Sequence, residues 1–148
     1  MTQPSTPPAA AAIHWPDDVR RQRFEGWLAR VGPAHGLQPD TLCAASSDAS
    51  FRRYLRIAGQ GASFIVMDAP PSHEDVLPFV QVAQLIAAAG LNAPRIVEQD
   101  IEQGFLLLSD LGSRLYLAEL QQAVAAGDPA TVRALMRDAI GALLTWQQ

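Results

Sequence analysis

The stretch Ser46–Pro71, SSDASFRRYLRIAGQGASFIVMDAPP, determines how the rest of this sequence is interpreted. It contains two runs typical of strands, Phe51–Ile57 and Ser63–Met67, which are separated by a Gly-Gln-Gly turn at residues 59–61. A short apolar run at Leu42–Ala45 precedes them, so the pattern predicts three consecutive strands joined by tight turns. Because consecutive short strands with tight turns pair antiparallel, we expect an antiparallel sheet.

The residues that follow predict a helix and then a second hairpin. Proline is tolerated in a helix only within the first turn, so Pro78 favours Asp75 as the N-cap of a helix that Gly90 closes. A start at residue 72 with a break near this proline is the alternative. Arg95–Glu98 and Phe105–Ser109 then predict a hairpin. The predicted fold class is α+β: a five-stranded antiparallel sheet with one inserted helix, followed by further helices.

Helical patterns flank the strands on both sides. Before the strands, apolar residues at helical spacing predict a helix that begins near Pro16 and ends at Gly32-Pro33; they are Phe24, Trp27, Leu28 and Val31. After the strands, Ser113 is the expected cap of a helix over residues 114–126, and Asp128-Pro129 predicts the start of another helix. This last helix has no stop signal before Gln148, which predicts that the chain is truncated there.

Length, charge and composition limit the domain organisation and the partners. A chain of 148 residues suits one domain or one lobe of a larger one. We expect a disordered tail at residues 1–12, a first lobe over residues 13–112, and the start of a helical C-terminal lobe over residues 113–148. The net charge of −4 argues against a nucleic-acid partner. Short apolar runs and the lack of a basic residue before Arg20 predict a soluble, cytoplasmic protein without a membrane partner.

The basic residues are unusual because all 11 of them are arginine and lysine is absent. A Walker A loop and a Schiff-base enzyme each need a lysine, so this chain contains neither. The single cysteine, Cys43, excludes an internal disulfide and a cysteine-rich zinc site. Any phosphate bound here must therefore be held by arginine, backbone N–H groups or hydroxyls.

The turn between the first two predicted strands, Ser46–Ser50, is the first candidate site. It is rich in hydroxyls and has backbone N–H groups that can surround phosphate oxygens, and Arg52 or Arg53 can pair with the same oxygens. An ordinary hairpin turn with a solvated arginine face is the alternative explanation. The candidate nucleotide-binding residues in this region are Ser47, Asp48, Ser50 and Arg52.

Three segments together resemble one family of enzymes. SDASFRRYLR at Ser47–Arg56, VMDAPP at Val66–Pro71 and LLLSDLGSRLYL at Leu106–Leu117 resemble, in this order, the bacterial anomeric N-acetylmuramate/N-acetylglucosamine kinases. These enzymes are members of the aminoglycoside phosphotransferase superfamily. The resemblance extends from about residue 24 to residue 148 and implies a protein-kinase-like N-terminal lobe followed by the start of the C-terminal lobe.

The resemblance also implies an activity and a second candidate segment. It implies ATP- and Mg-dependent transfer of a phosphoryl group to the anomeric hydroxyl of an amino sugar, a small-molecule substrate, in peptidoglycan recycling. It further implies a hinge at Ser109, Asp110 and Leu111 whose backbone groups bind the adenine edge, with Gly112 allowing the chain to turn. A plain strand-to-helix turn is the alternative. The resemblance places the catalytic residues and the metal ligands in the C-terminal lobe, so none is assigned to this chain.

Two features depart from the protein-kinase pattern. The third strand ends at Met67-Asp68, where those enzymes carry the lysine that orients the phosphates. Without that lysine, Glu74 or Asp75 is better explained as an acid at a helix N-terminus. The triplet His73-Glu74-Asp75 resembles a catalytic His-x-Asp, but Val80 stands where that motif requires asparagine. We therefore expect the chain to be inactive by itself.

Other functions remain open at this point. The substrate of a phosphotransferase with this pattern can also be choline, homoserine or an aminoglycoside. A non-catalytic lobe that binds nucleotide, or that binds a partner protein through an exposed apolar surface, is the alternative from another functional class.

Overall fold

The computed structural model describes residues 13–47 and 51–147, with the backbone alone at residues 46 and 47. The predicted disordered tail at residues 1–12 lies outside the described residues. Helices and strands follow one another in the predicted order, and their bounds are α1 Asp18–His35, β1 Gln38–Ser47, β2 Arg53–Ala58, β3 Ser63–Asp68, α2 Leu77–Ala88, β4 Ile96–Asp100, β5 Phe105–Ser109, α3 Tyr116–Ala125 and α4 Pro129–Trp146.

The strands form one 5-stranded sheet in the order β1-β2-β3-β5-β4. Every neighbouring pair is antiparallel. The register runs from Arg53 opposite Asp68 to Ala58 opposite Ser63 between β2 and β3, and Ser109 lies opposite Phe64 between β5 and β3. The expected α+β class and the five-stranded antiparallel sheet, with α2 inserted in the chain after β3, are therefore confirmed.

The described chain forms two compact units. The first contains the residues up to Val76 together with Ile96–Asp110, and so includes α1 and the whole sheet. The second contains Leu77–Arg95 and the residues from Leu111 onward, which form α2, α3 and α4. The boundary between two lobes near residue 112 stays a prediction. Within the described residues, no helix is long and apolar enough to cross a membrane.

Helix α1 runs further than its sequence predicts. Asp17 caps its start by accepting a hydrogen bond from the backbone N–H of Arg20, at 2.6 Å. The predicted stop at Gly32-Pro33 is wrong, because the helix ends instead at Gly36, which adopts a left-handed φ of 59°. The N–H groups of Gly36 and Leu37 donate to the carbonyls of Pro33 and Gly32, a Schellman arrangement. Pro33 removes only one backbone hydrogen bond from the helix. The helix therefore continues past Pro33 and ends where Gly36 closes it.

In the second unit, the start of α4 agrees with the sequence and the start of α3 does not. Asp128 accepts hydrogen bonds from the N–H groups of Ala130 and Thr131, with Pro129 in the first turn of α4. Helix α3 begins at Tyr116 without a side-chain cap, so the prediction that Ser113 caps this helix is wrong. The Tyr116 hydroxyl donates to the carbonyl of Leu135 at 2.8 Å, which joins α3 to α4.

The core of the first unit lies between α1 and one face of the sheet. Alternate residues of β2, β3 and β5 meet three side chains of α1, and the cluster consists of Phe24, Trp27, Leu28, Leu55, Ile57, Val66, Phe105 and Leu107. Phe105 stacks on Trp27 with ring centroids 5.4 Å apart and meets Phe24 edge-on at 5.7 Å. Burial of each large side chain stabilises the fold by about 1.5–3 kcal/mol. The predicted strand Phe51–Ile57 included Phe51, but this residue precedes β2 and is 63% exposed.

A charged cluster is buried beside this apolar core. Asp68 at the end of β3 is fully buried, and one of its oxygens accepts from Nε and Nη2 of Arg20 at 2.9 and 2.5 Å. The other oxygen accepts from Arg53. The guanidinium of Arg20 lies 4.0 Å from the Phe105 ring centroid, and that of Arg53 lies 4.3 Å from the Trp15 centroid. Arg53 lies on the same face of β2 as Leu55 and Ile57, and its pairing with Asp68 explains how a charged residue is accommodated there.

We predict that Asp68→Asn lowers the free energy of unfolding by about 3–5 kcal/mol, because it leaves Arg20 buried without its counter-charge. Urea unfolding followed by circular dichroism measures this loss. Asp40→Asn is the matched control, because Asp40 is exposed and the variant makes the same change in net charge. An exposed ion pair contributes roughly 1 kcal/mol or less. If the free energy of unfolding of Asp68→Asn differs from that of the wild type by no more than this, the buried pair does not have the expected role.

Candidate functional site

The sheet places the two predicted segments at opposite ends of β2. Ser47 at the end of β1 lies opposite Arg53, at the start of β2. At the other end, Ala58 lies opposite Ser63, and the next residue of β3 lies opposite Ser109. Strand β2 has 6 residues, which at about 3.3 Å per residue span roughly 17 Å. A ligand that contacts both segments must therefore lie along the strands.

The predicted phosphate turn is described only in part. Ser47 is the last residue of β1 rather than a turn residue, and its backbone alone is described. The candidates Asp48 and Ser50 lie outside the described residues. Arg52, the remaining candidate of this group, comes just before β2. The contribution of the turn to nucleotide binding therefore stays a prediction, and Arg52 is the side chain whose surroundings the structure defines.

Arg52 is held by an acid that the sequence did not link to it. Its Nε donates to Oε2 of Glu74 at 3.0 Å, and the two side chains are only 26% and 14% exposed. Burial lowers the pKa of Arg52, but hydrogen bonds to Tyr54 and Glu74 outweigh it and raise the pKa above its ordinary value. The guanidinium stays charged and has a defined position, as a phosphate-binding group requires.

Glu74 also binds the backbone next to Arg52. Its Oε1 accepts from the N–H of Phe51 at 3.3 Å, and the Phe51 ring stacks on His73 at a centroid distance of 4.4 Å. The interpretation of Glu74 as a helix-capping acid is therefore wrong, because its carboxylate points to the start of β2. No sequence pattern indicates this pair, since its members are 22 residues apart.

The segment that carries Glu74 is itself a closed turn, Pro70–Glu74. The N–H groups of His73 and Glu74 both donate to the Pro70 carbonyl, at 2.9 and 3.0 Å. Just before the turn, the Ala69 N–H donates to the carbonyl of Gly104 in the β4–β5 turn, at 2.9 Å. Gly104 has a φ of 70°, and a Cβ there would collide with the Ala69 carbonyl. This close backbone approach fixes the position of the Pro70–Glu74 turn on the sheet.

At the other end of β2, a second arginine pair holds the predicted hinge. Arg56 donates to both oxygens of Asp110, at 2.6 Å from Nε and 3.0 Å from Nη2. The Ser63 hydroxyl adds a third bond at 2.7 Å, and the Asp110 side chain is only 6% exposed. These hydrogen bonds raise the pKa of the Arg56 guanidinium above its ordinary value. The carboxylate of Asp110 thus ties the predicted hinge to β2 and β3. Binding of an adenine edge by this segment stays a prediction.

The remaining hinge candidates are close to this pair. Ser109 ends β5 and is half-buried, whereas Leu111 is 54% exposed and begins the second unit. On the sheet face opposite α1, side chains between the two segments stay partly exposed; they are Tyr54, Arg56 and Ile65. This face offers both apolar and hydrogen-bonding groups along the line from hinge to turn.

A cleft of about 730 Å³ opens beside the charged cluster, in the first unit. It is lined by the start of α1, including Pro16 and Val19, and by Pro70 and Pro71 of the turn after β3. Phe51 and His73, which stack on each other, form part of its wall. Among residues 13–47 and 51–147, no three His, Cys, Asp or Glu side chains lie together as a metal ion would need.

Comparison with known proteins relates this chain to phosphotransferases. The family described as "Phosphotransferase enzyme family" matches residues 41–148. An N-acetylmuramate/N-acetylglucosamine kinase of Pseudomonas aeruginosa is 47% identical over 139 residues, which cover 89% of this chain and 39% of the relative. The kinase of the same name from Pseudomonas putida is 46% identical over 138 residues, covering 88% and 39%. That of Neisseria meningitidis serogroup B is 35% identical over 130 residues, covering 87% and 36%. The chain thus spans about two fifths of the length of these relatives.

We predict that Gly104→Ala destabilises the protein more than Gly61→Ala does. Both glycines have a positive φ, 70° and 73°, but only Gly104 faces a backbone carbonyl, whereas open space surrounds Gly61. The left-handed conformation should lower the free energy of unfolding of each alanine variant by about 1–2 kcal/mol. The loss should be larger for Gly104→Ala, because Ala69 has to move. Equal losses for the two variants in urea unfolding would show that the approach to Ala69 is not tight.

We predict that Asp110→Asn loosens the hinge. It removes the charge that Arg56 binds, and a hydrogen bond to a charged group contributes about 1.5–3 kcal/mol. Faster amide hydrogen exchange at Ser109–Leu111 measures the effect, with Asp40→Asn again as the exposed control. If exchange at these amides does not change, the Arg56 pair does not position the hinge.

Proposed function

Since this chain belongs to the phosphotransferase enzyme family, we propose that it is the nucleotide-binding part of an ATP-dependent sugar kinase. The proposed reaction is phosphorylation of the anomeric hydroxyl of N-acetylmuramate or N-acetylglucosamine in peptidoglycan recycling. The names of the relatives support this choice of sugar. Because the proposed phosphoryl donor is ATP, we place the reaction in the cytoplasm. The observation that carries the proposal is the position of the two candidate segments at opposite ends of β2.

In this proposal, ATP lies along the sheet of the first unit. The adenine edge bonds to backbone groups of the hinge Ser109–Leu111, which the Arg56–Asp110 pair keeps in position. The triphosphate extends toward the Ser46–Ser50 turn and Arg52, at the other end of β2. Because the chain has no lysine, arginine and backbone N–H groups replace the lysine that orients phosphates in protein kinases.

The chemistry of transfer is assigned to another part of the enzyme. Phosphoryl transfer depends on Mg ions and on positioning of the reactants. The described residues offer no cluster of metal ligands, so we assign no magnesium ligand and no general base to them. The chain spans 39% of the Pseudomonas relatives, and we assign both groups to the portion of such enzymes that it does not span. This chain then binds and orients the donor without turning over the sugar.

A second candidate keeps the fold but not the chemistry. Helices α3 and α4 expose many large apolar side chains, among them Leu117, Val124, Met136, Ile140, Leu143, Leu144 and Trp146. A contiguous exposed apolar surface marks a place that other protein covers. A lobe that binds a partner protein through these helices, with or without nucleotide, is the function that this observation favours.

Calorimetric titration with ATP and with adenosine tests the proposal. Both ligands should bind the 148-residue chain, and Arg52→Gln should weaken ATP binding about tenfold or more, because a charge-assisted bond to phosphate is lost. Adenosine affinity should change little, since adenosine reaches only the hinge. Arg23→Gln, at an exposed position of α1, is the matched control and should leave both affinities unchanged.

Other outcomes separate the two candidates. A folded chain that binds neither ligand would favour the partner-binding lobe and contradict nucleotide binding. Phosphorylation of N-acetylmuramate by this chain alone, detected by ³¹P NMR, would contradict the assignment of the catalytic groups to another part of the enzyme.

A further inference from the structure

Glu74 is a charged residue that the proposed function does not yet use. It lies on the turn Pro70–Glu74, just after β3, and its side chain is only 14% exposed. Each carboxylate oxygen has its own partner: Oε2 accepts from Nε of Arg52 at 3.0 Å, and Oε1 accepts from the N–H of Phe51 at 3.3 Å. One carboxylate therefore holds both the backbone of Phe51 and the side chain of Arg52.

The turn is well suited to act as a fixed support. Two N–H groups of the turn share the Pro70 carbonyl, and the preceding Ala69 is bonded to Gly104. Asp68, directly before Ala69, is anchored by Arg20 and Arg53. Stacking of Phe51 on His73 adds a second contact between the turn and the start of β2. These hydrogen bonds, ion pairs and ring contacts together hold the turn on the sheet.

A fixed Arg52 has a clear energetic advantage. A long arginine side chain loses much of its rotamer freedom when it is ordered, and this loss opposes binding. If Glu74 orders it before nucleotide arrives, this loss does not weaken phosphate binding. The Glu74–Arg52 pair is partly buried, so it is screened less than an exposed pair.

We propose that Glu74 is a positioning residue for the phosphates of the nucleotide, acting through Arg52 and through the backbone at Phe51. This role rests on the proposed function. In this role the positioning acid, Glu74, lies on the turn before α2, and its partner is Arg52, just before β2. Its effect should be limited to the phosphate end of the ligand, because the hinge is held separately by Asp110.

The test compares Glu74→Gln with the wild type in calorimetric titrations with ATP and with adenosine. Glu74→Gln keeps the shape of the side chain but removes its charge and one acceptor. We expect ATP affinity to fall about five- to twentyfold, and adenosine affinity to stay within about twofold, as for loss of one charge-assisted contact. The double variant Arg52→Gln/Glu74→Gln should bind ATP no more weakly than Arg52→Gln alone, because Glu74 acts through Arg52.

Two further measurements keep a folding defect apart from the proposed role. Glu25→Gln makes the same change of charge at an exposed position of α1 and should leave both affinities unchanged. Without ligand, amide hydrogen exchange at Phe51–Tyr54 should be faster in Glu74→Gln while exchange in β5 stays the same. Faster exchange throughout the sheet would show a merely structural role and overturn the proposal.

Other results would also overturn it. If Glu74→Gln weakens the binding of ATP and of adenosine equally, Glu74 supports the whole site. If Glu74→Gln binds ATP more tightly than the wild type, Glu74 competes with phosphate for Arg52. If the loss of ATP affinity in the double variant equals the product of the losses in the two single variants, the two residues act independently. If the wild type binds neither ligand, the proposed function fails and this role with it. Normal ATP binding by Glu74→Gln overturns this role alone.

Discussion

The first unit depends on one buried carboxylate. Asp68 lies at the end of β3, and it joins the start of α1 through Arg20 to the start of β2 through Arg53. Burying a charge is unfavourable unless it is paired, and here two guanidinium groups pair with it while each lies over an aromatic ring. The cluster holds α1 on the sheet and determines where the chain leaves β3.

This use of the end of β3 changes how the fold can bind a phosphate. In protein kinases the third strand carries a lysine that contacts the phosphates, but here its last residue belongs to the core. In the proposed function the positive charge for phosphate is instead that of Arg52, just before β2, and Glu74 holds Arg52 from the turn that directly follows the cluster. A structural requirement at Asp68 and the proposed binding role of Arg52 are thus linked through six residues of chain, Ala69–Glu74.

The three segments that predicted the family, now confirmed, also contain most of the partners that hold the sheet ends. Ser47–Arg56 contributes three arginines that form ion pairs, Arg52, Arg53 and Arg56. Val66–Pro71 contributes Asp68, and Leu106–Leu117 contributes Asp110. Segments far apart in sequence therefore meet as matched charges, which gives a physical reason why these three patterns occur together in one chain.

The sequence by itself determined the strands, their antiparallel pairing, the first turn of α2 and the Asp128 cap, because alternation, glycine turns and capping are local. It also indicated Arg52 and the segment Ser109–Leu111 as candidates. Only the tertiary structure decided that α1 continues to His35 and that Phe51 is exposed. It alone showed that Asp68, Glu74 and Asp110 bind arginines. The charged partners in these pairs lie 15 to 54 residues apart, and a pattern of neighbouring residues carries no information about which distant charge a carboxylate will meet.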